Sequence, residues 1–95
     1  MPQFLIERNI PGAGDLSPQQ FQEISAHSCG VINAMNGEGK NVKWLHSHVT
    51  PNKIFCVYEA PVEAAVREHA SRGGFPADNV FPINRDISPK TALPS

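Results

Sequence analysis

Pro82 stands in the middle of the last strand-like stretch of this chain, residues 79–87. A residue without a backbone N–H cannot donate to ladders on both of its sides, so this strand belongs at the edge of a sheet. Upstream, the chain is divided by comparable punctuation: Pro11-Gly12-Ala13-Gly14-Asp15, Pro51-Asn52, Pro61, and Gly73-Gly74 followed by Phe75-Pro76. Residues 3–9, Gln-Phe-Leu-Ile-Glu-Arg-Asn, read as a first strand, with Leu5 and Glu7 on one face. Ser17-Pro18-Gln19-Gln20 is a complete helix start, with a serine cap, proline at the first helical position and glutamine three residues after the cap. The apolar residues Phe21, Ile24, Val31, Ile32 and Met35 follow on one helical stripe, with Ser28 in its gap and Gly30 weakening its middle. Asn36-Gly37 ends that helix.

Residues 42–50 and 53–60 read as two strands joined by a tight turn at Pro51-Asn52, the second rich in β-branched and aromatic residues. Pro61 opens a second helix that places Val62, Ala65, Val66 and His69 on one face and pairs Glu63 with Arg67 and Glu68 with Arg72. Gly73-Gly74 closes it. The order is βαββαβ, an α+β ferredoxin-like arrangement whose antiparallel four-stranded sheet carries two helices on one face. That topology puts the last strand at an edge, where Pro82 independently requires it. The face left bare calls for a partner, and a homodimer through the open sheet face is expected.

Ninety-five residues, with 8 Lys+Arg against 9 Asp+Glu and 40% hydrophobic residues, suffice for one globular domain over residues 1–87, followed by a loose tail at 88–95. A chain of this size needs no metal in order to fold. The net charge of −1 supplies no basic field for nucleic acid or anionic lipid. No apolar run approaches the roughly 18 residues of a membrane span, and Met1-Pro2-Gln3 lacks the charged start of a signal peptide, so a cytoplasmic protein is expected. Lys53-Ile54-Phe55-Cys56-Val57-Tyr58 faintly echoes the aromatic motif of RNA-binding sheets, but Ile54 occupies the place of its glycine and no basic stripe accompanies it.

Trp44, His46 and His48 alternate along the second strand and are expected to project from one face. Two imidazoles at i, i+2 can share a metal ion. Glu7, a carboxylate in the middle of the first strand, is a candidate ligand or base. With a two-residue turn, His48 opposes Phe55 and the histidines share a face with Phe55 and Val57. With one more residue in the turn, Cys56 and Tyr58 join them instead, and Glu7, His46, His48, Cys56 and Tyr58 could converge as ligands suited to nickel, copper or zinc. His69, on the apolar face of the second helix, reads as structural, and His27 and Cys29, two apart in a helix, are poor co-ligands. Cys29 and Cys56 show no zinc-finger spacing and read as small buried hydrophobes.

The run Val-Lys-Trp-Leu-His-Ser-His-Val-Thr-Pro-Asn-Lys-Ile-Phe-Cys-Val-Tyr-Glu-Ala from Val42 to Ala60, together with Ala65-Val66-Arg67-Glu68-His69-Ala70, Gly73-Gly74-Phe75-Pro76-Ala77 and Phe4-Leu5-Ile6-Glu7-Arg8, resembles a family of small bacterial proteins often called nickel-binding. The likeness reaches to about Ile87 and implies a ferredoxin-like fold with dimeric members. Its W-x-H-S element falls on Trp44, His46 and Ser47, its F-C-x-Y element on Phe55, Cys56 and Tyr58, and its initial acidic position on Glu7. The chain departs from the family in having His48 where an aromatic residue is usual, and in its first helix and preceding loop. Two functions are in play. One is binding of a divalent transition metal, nickel by the resemblance, for sequestration or handling, through His46 and His48 with Glu7 and Cys56 as co-ligands. The other is a dimeric α/β-barrel enzyme or small-ligand receptor using His46, Glu7 and Tyr58 as acid–base groups.

Overall fold

The computed structural model describes residues 1–94. Its strands are β1 (Gln3–Asn9), β2 (Lys43–Val49), β3 (Lys53–Glu59) and β4 (Asn79–Ile83), and its helices are α1 (Pro18–Gly37), between β1 and β2, and α2 (Glu63–Gly73), between β3 and β4. They form the expected ferredoxin-like α+β arrangement, with sheet order β2-β3-β1-β4 and every neighbouring pair antiparallel. Pro82 lies on an edge strand that pairs only with β1. That strand stops at Ile83 rather than running to Ile87, because Ile83 pairs with Gln3, where β1 itself begins. Beyond it, the residues from Asn84 to Pro94 are mostly exposed, with a 3₁₀ turn at Pro89–Ala92. No helix among the described residues is long and apolar enough to cross a membrane.

The first helix starts as its sequence dictates. Ser17 Oγ accepts from the backbone N–H of Gln20 (3.1 Å), and the Gln20 side chain accepts from the Ser17 N–H (2.8 Å), so two otherwise unpaired donors are satisfied reciprocally. At its far end Asn36 substitutes for a strand partner, accepting from the Val42 N–H (2.7 Å) and donating to the Val42 carbonyl (2.9 Å). The buried Val42 therefore keeps its backbone bonded although β2 begins one residue later. The turn at Gly74, in the left-handed region at φ 72°, ends α2.

The loop after β1 docks on the β2–β3 turn. Ile10 and Gly14 donate backbone N–H groups to the carbonyls of Asn52 (3.0 Å) and Pro51 (3.1 Å). Gly14 approaches so closely that a Cβ there would lie 2.9 Å from the Pro51 Cα, and only glycine fits.

The core lies between the sheet and the helices. Phe4 and Ile6 of β1, Ile54, Cys56 and Tyr58 of β3, Ile32 and Met35 of α1, and Ala65 and Val66 of α2 make one buried cluster. Ile6 is fully buried at its centre. An Ile6→Ala variant should lose about 2–5 kcal/mol of unfolding free energy in urea titrations, the range for emptying a buried aliphatic position. Leu5→Ala, one residue away on the opposite face, should lose distinctly less.

Candidate functional site

The two sides of the sheet have different chemistry, and the β1–β3 register decides which residue goes where. Ile6 pairs with Cys56, Phe4 with Tyr58 and Arg8 with Ile54 on the helix-covered side, while Leu5 pairs with Val57 and Glu7 with Phe55 on the open side. The β2–β3 turn is the two-residue one, so His48 opposes Phe55 and His46 opposes Val57, and both histidines are exposed on the open face. Their ring centroids are 5.2 Å apart and their planes inclined at 72°. The pair sits on β2, an outer strand of the sheet.

Trp44 does not share that face. A bulge between Trp44 and His46 leaves Leu45 without an opposing residue, so Trp44 pairs with Tyr58 and turns toward the helices. There its ring stacks with Tyr58, centroids 6.5 Å apart, and its indole N–H donates to Ser47 Oγ at 2.9 Å. An i, i+3 contact of this kind cannot form in a regular strand, where the two side chains face opposite ways. The demand of a half-buried indole N–H for a partner, met by a serine three residues on, is the sequence signal that the simple alternation overlooks.

Glu7 shares the open face with the histidines but stands two strands away from His48, about 10 Å by sheet spacing, with Phe55 between them. Its carboxylate is held by Lys53 Nζ and by Asn79 Nδ2 (2.8 Å), and these two donors, Lys53 first, lower its pKa below the ordinary carboxylate value. Cys56 is buried on the other side, its sulfur accepting from Arg8 Nε at 3.4 Å. Tyr58 is buried there too, and burial raises its pKa. The five residues expected to converge are therefore parted by the sheet: His46, His48 and Glu7 on one side, Cys56 and Tyr58 on the other. Among the described residues, no group of three or more His, Cys, Asp or Glu side chains comes together as a metal cluster. What the open face offers a cation is one pair of imidazoles.

The separation also bears on acid–base chemistry, because His46 and Tyr58 cannot act on one substrate from opposite sides of a sheet. A cavity containing Trp44 does exist, but it lies on the helix side and neither His46 nor His48 lines it. Cys29, expected to be buried, is exposed on α1.

His69 has the structural place expected of it. It is fully buried, its Nε2 lies 3.0 Å from Ser28 Oγ, and its ring packs against Tyr58 and Phe75 at centroid distances of 5.1 and 5.6 Å. Burial, reinforced by the nearby Arg8 charge and opposed by the Ser28 contact, lowers its pKa from 6.5 to about 4. The unfolded chain thus binds a proton that the folded chain refuses between those two values. Stability is whole above pH 6.5 and declines as pH falls toward about 4, by on the order of 3 kcal/mol. Urea midpoints measured from pH 7.5 to pH 4.5 should fall accordingly, and His69→Gln should flatten that slope.

A model of the family described as nickel responsive protein, SCO4226-like, matches residues 4–83. The crystal structure of SCO4226 from Streptomyces coelicolor A3(2) superposes with a TM-score of 0.72 at 19% identity, covering 90% of this chain and 99% of that one, a likeness of fold. No curated protein matches. With its match running from β1 to the end of β4, the chain belongs to the nickel responsive SCO4226-like family.

Proposed function

We propose that this protein is a cytoplasmic homodimer that binds a divalent transition metal, nickel, as cargo to be sequestered or handled rather than as a catalyst. The observation that carries the reading is the exposed pair His46 and His48, side by side on the open face with ring centroids 5.2 Å apart. Imidazole nitrogens bind such ions at about 2.0–2.1 Å, and two rings on one strand face can turn toward a common point. The pair supplies two ligands, and the remaining positions fall to water or to a second copy. The family description directs the choice toward nickel, since imidazole serves zinc and copper equally well. Cys56, behind the sheet, stays outside this site, and Glu7 is already occupied by Lys53 and Asn79.

The dimer reading rests on the same face. Leu5, Phe55, Val57 and Phe81 form an apolar band across β1, β3 and β4, and Phe81 is 48% exposed in the single chain. Such a band beside a polar rim is the usual form of a homodimer contact. Sedimentation at micromolar concentration should give a dimer that Phe81→Asp converts to monomer.

Calorimetric titration of tag-free, metal-stripped protein with nickel, against zinc, copper and cobalt, tests the metal assignment. Stoichiometric nickel binding at micromolar or tighter affinity is expected, lost in the His46→Ala/His48→Ala double variant and kept in Cys56→Ser. Unchanged nickel affinity in the histidine double variant would sink the assignment.

A further inference from the structure

Behind the sheet, between it and the first half of α1, lies a cavity of about 190 Å³ that the metal reading does not use. Phe21 and Ile24 of α1, Trp44, Ile54 and Tyr58 of the sheet, and Phe75 after α2 give it mostly apolar walls. Among the described residues one charged side chain lines it, Arg8, which is 3% exposed. Arg8 follows Phe4 and Ile6 on the inward side of β1, so strand parity carries a cation into the core.

The protein leaves that cation short of partners. Nε donates to Cys56 Sγ at 3.4 Å, Nη1 donates to the Pro76 carbonyl at 2.5 Å, and the guanidinium carbon lies 5.4 Å from the centre of the Phe75 ring. Nη2 is buried and has no acceptor among the described residues, and no salt bridge there includes Arg8. Buried charge is costly unless it is paired, and a carbonyl, a thiol, a ring face and the neighbouring Tyr58 hydroxyl supply no counter-anion.

We propose that this cavity is a binding site for a small amphipathic monocarboxylate, its carboxylate on the Arg8 guanidinium and its hydrocarbon part between α1 and the sheet. A single guanidinium with no second cation in the walls balances one negative charge, so a monoanion fits where a dianionic phosphate leaves surplus charge buried. The apolar lining selects a hydrocarbon body, and the cavity somewhat exceeds the roughly 150 Å³ that accommodates benzene, which sets a scale of about ten heavy atoms. Ile24, 38% exposed while lining the cavity, marks a side on which it meets solvent. This site and the histidine pair lie on opposite faces, and either can fail without the other.

Trp44 is the sole tryptophan and lines the cavity, so its fluorescence reports on what enters. Octanoate titrated into the full-length, metal-free protein at pH 7.5 should produce a saturable change with sub-millimolar Kd, with octanol, its uncharged match, binding at least tenfold more weakly. Arg8→Gln should reduce octanoate to the affinity of octanol. Ser25→Leu, which fills the cavity from α1 and leaves Arg8 in place, should abolish binding of both. Absence of saturable octanoate binding into the millimolar range, equal affinity for octanoate and octanol, or a charge preference that survives Arg8→Gln each overturns the proposal. Should Arg8→Gln fail to fold, the octanoate–octanol comparison in the unaltered protein and the Ser25→Leu variant decide it.

Discussion

Opposing Ile6 and Cys56 across the central strand pair sets the parity of every other residue in β1 and β3. Because side chains alternate strictly, a slip of one position by β1 would drive Glu7 and Leu5 into the core and expose Phe4 and Ile6, while Cys56 and Tyr58 stayed on the covered side. The two-residue turn at Pro51-Asn52 passes that parity to β2, and the loop bonded to the turn through Ile10 and Gly14 holds the hairpin against the end of β1. Both histidines face water as a consequence of this register, and Arg8 is buried as a consequence of the same register. Neither placement follows from the residue's own preference.

The sheet therefore acts as a partition between two chemistries. On the open side, an exposed imidazole pair, an ion-paired carboxylate and an apolar band meet solvent, where polar groups are readily satisfied. On the covered side, Arg8, Ser28, Tyr58 and His69 surround aromatic rings with few bonds to spare. His69 Nδ1 and Arg8 Nη2 are the buried polar side-chain atoms without partners among the described residues, and both belong to this one cluster with Phe75. Burial is what chiefly favours the neutral imidazole of His69, and the Arg8 charge beside it adds to that preference.

What the sequence displays plainly is whatever local chemistry decides. The Ser17–Gln20 capping box, the glycine stop after α2 and the edge position forced by Pro82 depend on a few neighbouring residues, and they occur in the structure where the residues place them. Properties set by pairing between distant segments are less legible. Whether Cys56 joins His46 depends on the length of one turn, and both lengths are compatible with the same residues. The bulge at Leu45 overrides the alternation that would have put Trp44 beside the histidines. Arg8 escapes a reading by residue type altogether, since arginine on a strand ordinarily faces solvent. Its equal parity with Phe4 and Ile6 is the one clue to its burial.

The bulge has a further effect that concerns crowding rather than binding. A sheet with two free edges is exposed to unwanted strand addition by other copies of itself, a route to fibres. Here one edge, β4, has its row of donors interrupted by Pro82, and the other, β2, is kinked out of regular pitch at Leu45. Neither border offers an even template for a strand of another copy to zip onto. Growth along the sheet is therefore discouraged at both ends.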